Sequence, residues 1–101
     1  MGWQVVYAPL ASDDLEQIVL YVAQDDPQAA LKLGYRLADQ AQSLGRQPYR
    51  GSVLRNRSGV RKLVCRPYLI VYRVRESNET VEILRFWHGA RDQRQMDLPG
   101  S

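Results

Sequence analysis

The sequence predicts one α+β domain, in the order β-α-α-β-β-β, with a helical hairpin packed on one face of an antiparallel meander sheet. Three observations predict it. Within residues 67–88, two runs (Tyr68 to Val74 and Val81 to Trp87) are rich in β-branched and aromatic residues, with the turn-formers Ser77, Asn78 and Glu79 between them. Upstream, two helical periods stand back to back with only Asp25-Asp26-Pro27 separating them. A chain of 101 residues builds one core. Residues 1–98 are assigned to it, and 99–101 are expected to fray.

In chain order, Trp3 to Tyr7 alternates weakly and reads as a short strand that Pro9 ends. Ser12 then reads as an N-cap, with Asp13, Asp14 and Glu16 at the positive end of a helix dipole. Leu15, Ile18, Val19 and Val22 recur at helical spacing, which predicts a helix over 13–24. Asp26 caps a second helix and Pro27 fits its first position, where the missing N–H costs nothing. Ala30, Leu33, Leu37, Ala41 and Leu44 mark its apolar stripe, and Gly45 follows as the C′ residue. Ala29, Ala30, Gly34, Ala38 and Ala41 are small enough for the two helices to approach closely. Residues 46–59 contain Pro48, Gly51, Asn56, Ser58 and Gly59 and read as a loop.

Val60 to Val64 is the next strand, and a tight connection at Arg66-Pro67 leads into the two long ones. Links this short make the last three strands an antiparallel meander. Strict alternation puts Ile70, Tyr72 and Val74 on one face and Leu69, Val71 and Arg73 on the other. In the last strand it puts Val81, Ile83, Arg85 and Trp87 together, opposite Glu82, Leu84, Phe86 and His88. Neither strand has a wholly polar face. The helices are therefore expected on one side, and a partly covered functional surface on the other.

Charge is segregated along the chain. Residues 1–45 hold six acids and two bases, residues 46–75 nine bases and no acid, and residues 76–101 five acids and three bases. The central block predicts an anion-facing surface for nucleic acid or an acidic protein, against the plainer reading of a solvated basic face. No run approaches the roughly 20 apolar residues of a membrane span, and the first ten residues lack the basic start and apolar stretch of a signal peptide. Cys65 is the single cysteine, so no internal disulfide forms; a partly buried thiol in a cytoplasmic protein is expected. One His and one Cys without compact spacing make no metal site, and no glycine-rich loop follows a strand to hold a nucleotide cofactor. No metal or cofactor is expected.

These elements, with DDP-QAA opening the second helix, then VRKLV, PYLIVYRV and VEILRFWHGARD in order, resemble the RelE/ParE superfamily of toxins from type II toxin–antitoxin modules. The resemblance runs from about Trp3 to Asp92. It implies a growth-inhibiting toxin, of the plasmid stabilisation type, held inactive in a hetero-oligomer by a cognate antitoxin. RelE-like members cleave mRNA on the ribosome; ParE-like members inhibit DNA gyrase.

Cleavage by 2′-OH attack needs a base, an acid and cations for the phosphorane charge. Under the RelE-like reading Lys62, Arg73, His88 and Arg91 are the catalytic candidates. Lys62 stands where the resemblance places a basic residue, with Arg61 and Arg66 nearby. His88 is the only histidine, the residue type suited to acid–base work. Its structural alternative is a ring hydrogen-bonded to backbone at the strand end. Two RelE-like parts are missing: Leu69 follows Tyr68 where an Arg is common, and ARDQRQMDL holds no tyrosine. The ParE-like reading asks only for a partner-fitting surface, with Arg61, Lys62, Arg66 and Arg73 as its basic part, and HGARD favours it. A small basic nucleic-acid-binding module is the third reading. Phe86 and Trp87 suit base stacking, but as residue types they are more often core.

Overall fold

The computed structural model describes residues 2–99. It runs β1 (Gln4–Tyr7), α1 (Pro9–Ala23), α2 (Pro27–Ser43), β2 (Ser52–Val53), β3 (Val60–Cys65), β4 (Tyr68–Arg75) and β5 (Thr80–His88). The five strands form one sheet in the order β1-β5-β4-β3-β2. β3, β4 and β5 are the expected antiparallel meander, and β1 lies parallel to β5 with Val5 beside Val81. The sheet is thus mixed. It also has a strand within residues 46–59, where the sequence predicts a loop: β2 is two residues long, and its pairing of Ser52 with Lys62 is too short to leave a periodic signal. Of the expected frayed end, Pro99 is described and the last two residues lie outside the described range.

α1 starts earlier than Ser12 predicts. Ala8 is the N-cap, in extended backbone, and Pro9 occupies the first turn. The Ala8 N–H donates to the Ile83 carbonyl as the last rung of β1, and the chain turns at once into helix. Proline suits that position because its φ is already helical and it has no N–H to satisfy. Ser12 therefore sits inside the first turn, its N–H donating to the Ala8 carbonyl. Asp13 and Asp14 fall in the second turn, away from the dipole end. α2 follows the sequence reading: the Asp26 carboxylate accepts from the Gln28 and Ala29 N–H groups at 3.1 Å, and Pro27 follows. At Gly34 an added Cβ would come within 3.1 Å of the Val19 side chain, so glycine sets how closely the hairpin packs.

The hairpin covers one face of the sheet. Ala11, Leu37, Ala41 and Leu44 pack on Leu63, Ile70, Tyr72, Val81, Ile83 and Phe86. Cys65 is buried on this side. The opposite face carries a second apolar cluster of Val60, Leu69, Val71, Leu84 and Trp87.

Strict alternation fails in β5. Val71 stands opposite Arg85 and Tyr72 opposite Ile83, so Leu84 is an extra residue and the strand bulges there. Beyond the bulge the faces exchange. Phe86 joins Val81 and Ile83 under the helices, and Trp87 joins Leu84 on the far side. The predicted set of Val81, Ile83, Arg85 and Trp87 on one face is thus broken by one inserted residue.

The far side is not an open surface along its whole length. Residues 92–98 double back over it, burying Met96 to 2% and packing Leu98 on the cluster, while Leu54 adds a third cover. Two arginines hold the segment by its backbone. Arg57 donates to the Met96 carbonyl and Arg85 to the Asp97 carbonyl, each at 2.8 Å. What stays open is the end near the β3–β4 connection, where Val64 is 53% exposed.

Candidate functional site

Asp14 on α1 binds Arg85 on β5 at two points, 2.7 and 3.0 Å, and accepts from the Phe86 N–H at 3.1 Å. β1 ends at Tyr7, so the edge of β5 beyond Ile83 has no strand beside it. The Asp14 carboxylate takes the place of that strand by accepting the backbone proton. Its hydrogen bonds also raise the pKa of Arg85 and keep the guanidinium charged, against the opposing effect of burial. Arg85 is therefore a structural cation.

This clamp forms one wall of a cavity of about 200 Å³ between α1 and the end of β5. Asp13 and Gln17 line it from α1, Ile18 and Phe86 from the core, and Tyr68, His88 and Arg91 from the sheet end. Tyr68 and His88 are cross-strand partners whose rings meet edge to face at 5.3 Å. Burial, and secondarily the neighbouring Tyr21, raise the pKa of the Tyr68 phenol. The His88 Nδ1 accepts from the Ala90 N–H at 3.1 Å, the backbone bond expected of a histidine closing a strand. In the neutral ring this puts the proton on Nε2. Arg91 lies with its guanidinium 4.0 Å from the Trp87 ring centre, and the indole N–H donates to the Arg91 carbonyl at 3.4 Å. Arg85 approaches the same ring at 5.2 Å. Trp87 and Phe86 are core residues, 2% and 3% exposed, and present no free face for base stacking.

The basic residues singled out in the sequence do not form one surface. Lys62 pairs with Val71 and Arg73 with Val60, so these two lie diagonally on the far face of the sheet. Arg73 and Leu98 of the covering segment line the same depression on that face. Arg61 pairs with Tyr72 and faces the opposite way. There it donates to the Gly51 carbonyl at 2.8 Å and stacks on Tyr49 at 5.0 Å. Arg66 lies in the β3–β4 connection, and its carbonyl accepts from Arg36 of α2. The grouping of Arg61 with Lys62 is thus undone by the pleat, which sends adjacent residues to opposite faces. Of the four nuclease candidates, Lys62 and Arg73 share a face, while His88 and Arg91 share the cavity at the sheet end.

Sequence reasoning missed Asp13, Asp14, Gln17 and Tyr68 as site residues. Asp13 and Gln17 are one helical turn apart, a spacing that does put them on one side of α1. Nothing local in the sequence connects them with His88. Among the described residues no group of three His, Cys, Asp or Glu side chains is arranged to hold a metal ion. No helix among them is long and apolar enough to cross a membrane.

Residues 5–93 match the family described as ParE toxin of type II toxin-antitoxin system, parDE. The chain is 38% identical over 89 residues to Toxin RelE2 of Caulobacter vibrioides, which covers 87% of this chain and 97% of that protein. Among solved structures it resembles a chain of the chromosomal ParDE system of P. aeruginosa, with a TM-score of 0.72 and 26% identity over 85% of this chain and 95% of that one. It also resembles a chain of the RelBE2 toxin-antitoxin complex of Mycobacterium tuberculosis, with a TM-score of 0.65 and 26% identity over 87% of this chain and 99% of that one. The chain belongs to the ParE family within the RelE/ParE superfamily, and is the toxin of a type II toxin–antitoxin module.

Proposed function

We propose that this toxin acts in the ParE-like manner, arresting growth in the cytoplasm by inhibiting DNA gyrase, and that a cognate antitoxin neutralises it in a hetero-oligomer. One relationship carries the reading. Lys62 and Arg73 lie on the far face of the sheet, whereas His88 pairs with Tyr68 on the helix side at the strand end. A base and an acid serving one phosphodiester must each come within hydrogen-bond reach of it, about 2.6 to 3.2 Å. A sheet between them argues against one catalytic centre. The missing arginine at Leu69 and the missing late tyrosine point the same way.

The RelE-like alternative, ribosome-dependent mRNA cleavage, draws support from the likeness to Toxin RelE2 over most of both chains. It would enlist Lys62, Arg73, His88 and Arg91. The test pairs supercoiling by purified gyrase with primer extension on mRNA from translating ribosomes. The ParE-like reading expects loss of supercoiling with intact mRNA. Codon-positioned cuts with unaffected gyrase would replace it with the RelE-like one.

A further inference from the structure

The end of the far face that residues 92–98 leave open is a groove of about 460 Å³. Val64 and Leu69 are cross-strand partners and line it together with Pro67 and Ala90, so its floor is apolar. Val64 is a β-branched side chain in a strand, yet the fold leaves it 53% exposed. The Gly89 N–H donates to the Pro67 carbonyl at 2.8 Å, which ties the turn after β5 to the β3–β4 connection and holds that side of the groove in place. Arg66 lines the groove and is exposed, and Lys62 reaches the same face two residues before Val64. None of the lining residues is acidic, and neither is any residue from 46 to 75.

We propose that this groove is where the toxin holds its target protein: an apolar side chain of gyrase seats on Val64 and Leu69, and carboxylates beside it in gyrase meet Lys62 and Arg66. The proposal rests on the gyrase reading above. Two properties of the groove choose this occupant. Its floor of Val64, Leu69, Pro67 and Ala90 offers no side-chain donor to a phosphate or a base edge, so it suits an apolar side chain of a protein. The cations around it, with no acid among them, favour an acidic partner and repel a basic one. An apolar anchor in a small groove, ringed by polar contacts that keep water out, is the arrangement in which a few residues supply most of the binding energy.

The test is supercoiling by purified gyrase, titrated with the purified full chain and with three variants. Val64→Glu puts a carboxylate into the apolar groove, and should need at least about ten-fold more toxin for half-inhibition. Val53→Glu is the control. Val53 is 63% exposed and pairs with Arg61, so the same charge enters on the opposite face of the sheet, and inhibition should match that of the parent chain. Arg66→Glu should also weaken inhibition, and by less as salt rises, because salt screens exposed charges. Unfolding midpoints of the two valine variants should match the parent, since both positions are exposed. A parent chain that leaves supercoiling untouched would sink the gyrase reading and this proposal with it. A parent that inhibits, with a Val64→Glu that inhibits equally, would overturn the proposal alone. So would equal losses in Val64→Glu and Val53→Glu, or an Arg66→Glu as potent as the parent. A Val64→Glu that inhibits normally but no longer binds the antitoxin, or that only dissociates a dimer of the toxin, would assign the groove to those partners instead.

Discussion

Asp14 and Arg85 stand 71 positions apart in the chain and meet at two points, with side chains only 17% and 12% exposed. The pair ties α1 to the strand edge that β1 leaves uncovered, and through Arg85 it also anchors the Asp97 carbonyl. Removing one partner strands the other. Asp14→Ala is expected to destabilise the protein by about 3 kcal/mol, the lower end of the cost of an orphaned, largely buried charge. The double variant Asp14→Leu with Arg85→Met should lose less than Asp14→Ala alone, because no uncompensated charge remains. Urea denaturation of the two variants gives the comparison.

Tyr72 is fully buried, and its phenol oxygen accepts from the Gly51 N–H at 2.9 Å. A Cβ at residue 51 would come within 2.4 Å of the Lys62 carbonyl oxygen and 2.7 Å of the Tyr72 hydroxyl, so only glycine fits beside this bond. Tyr72→Phe leaves a buried N–H without an acceptor and should cost about 1 to 3 kcal/mol. Burial raises the Tyr72 pKa above its ordinary value of 10.0. The neutral phenol is thus favoured in the folded state. This contribution is complete below pH 10 and is lost as pH rises through the raised pKa. Alkaline unfolding followed by tyrosinate absorbance should place ionisation of Tyr72 together with loss of structure.

The returning segment is held by Met96 against Leu84 and Trp87. Met96→Ala removes a buried side chain and should cost about 2 kcal/mol. It should also shift Trp87 emission to the red as water reaches the indole. Arg57→Ala removes the hydrogen bond to the Met96 carbonyl, and should produce a smaller loss, about 1 kcal/mol. Unchanged emission in Met96→Ala would show that the segment does not shield Trp87.

Replacing Arg61 and Lys62 together would mix two effects. Arg61 holds the Gly51 carbonyl and stacks on Tyr49, so Arg61→Ala should reduce stability by about 1 kcal/mol. Lys62, partly exposed on the far face, is the cleaner probe. Lys62→Ala is expected to relieve growth arrest with little change in unfolding midpoint, since exposed charges contribute about 1 kcal/mol or less. A stable, fully toxic Lys62→Ala would remove this residue from the target surface.

His88 separates the two target readings. Under the gyrase reading His88→Ala should leave growth arrest nearly intact, with a small stability loss from the Tyr68 ring contact and the Ala90 hydrogen bond. Under the nuclease reading, loss of a general acid or base lowers the rate by about 10² to 10⁴-fold and should abolish arrest. Colony counts after induction, with unfolding midpoints for each variant, decide between them.

The linear chain contained the element order, the capped second helix and the faces of β4, because these follow from nearest-neighbour chemistry. Asp26 reaches N–H groups two and three residues away, and alternation from Ile70 to Val74 needs only the pleat. It also contained the family resemblance, which rests on the same apolar pattern. Tertiary structure decided the rest. The Leu84 bulge exchanged the faces of β5, and one inserted residue is invisible to a two-residue period until the partner strand sets the register. β2 was too short to carry a pattern and exists through its pairing with Arg61 and Lys62. The Asp14 clamp and the covering of the far face by Met96 join residues far apart in the chain. Contacts of that kind leave no local trace in sequence. Their partners are chosen by packing, and the energy that holds them is gained only once the sheet and hairpin are in place.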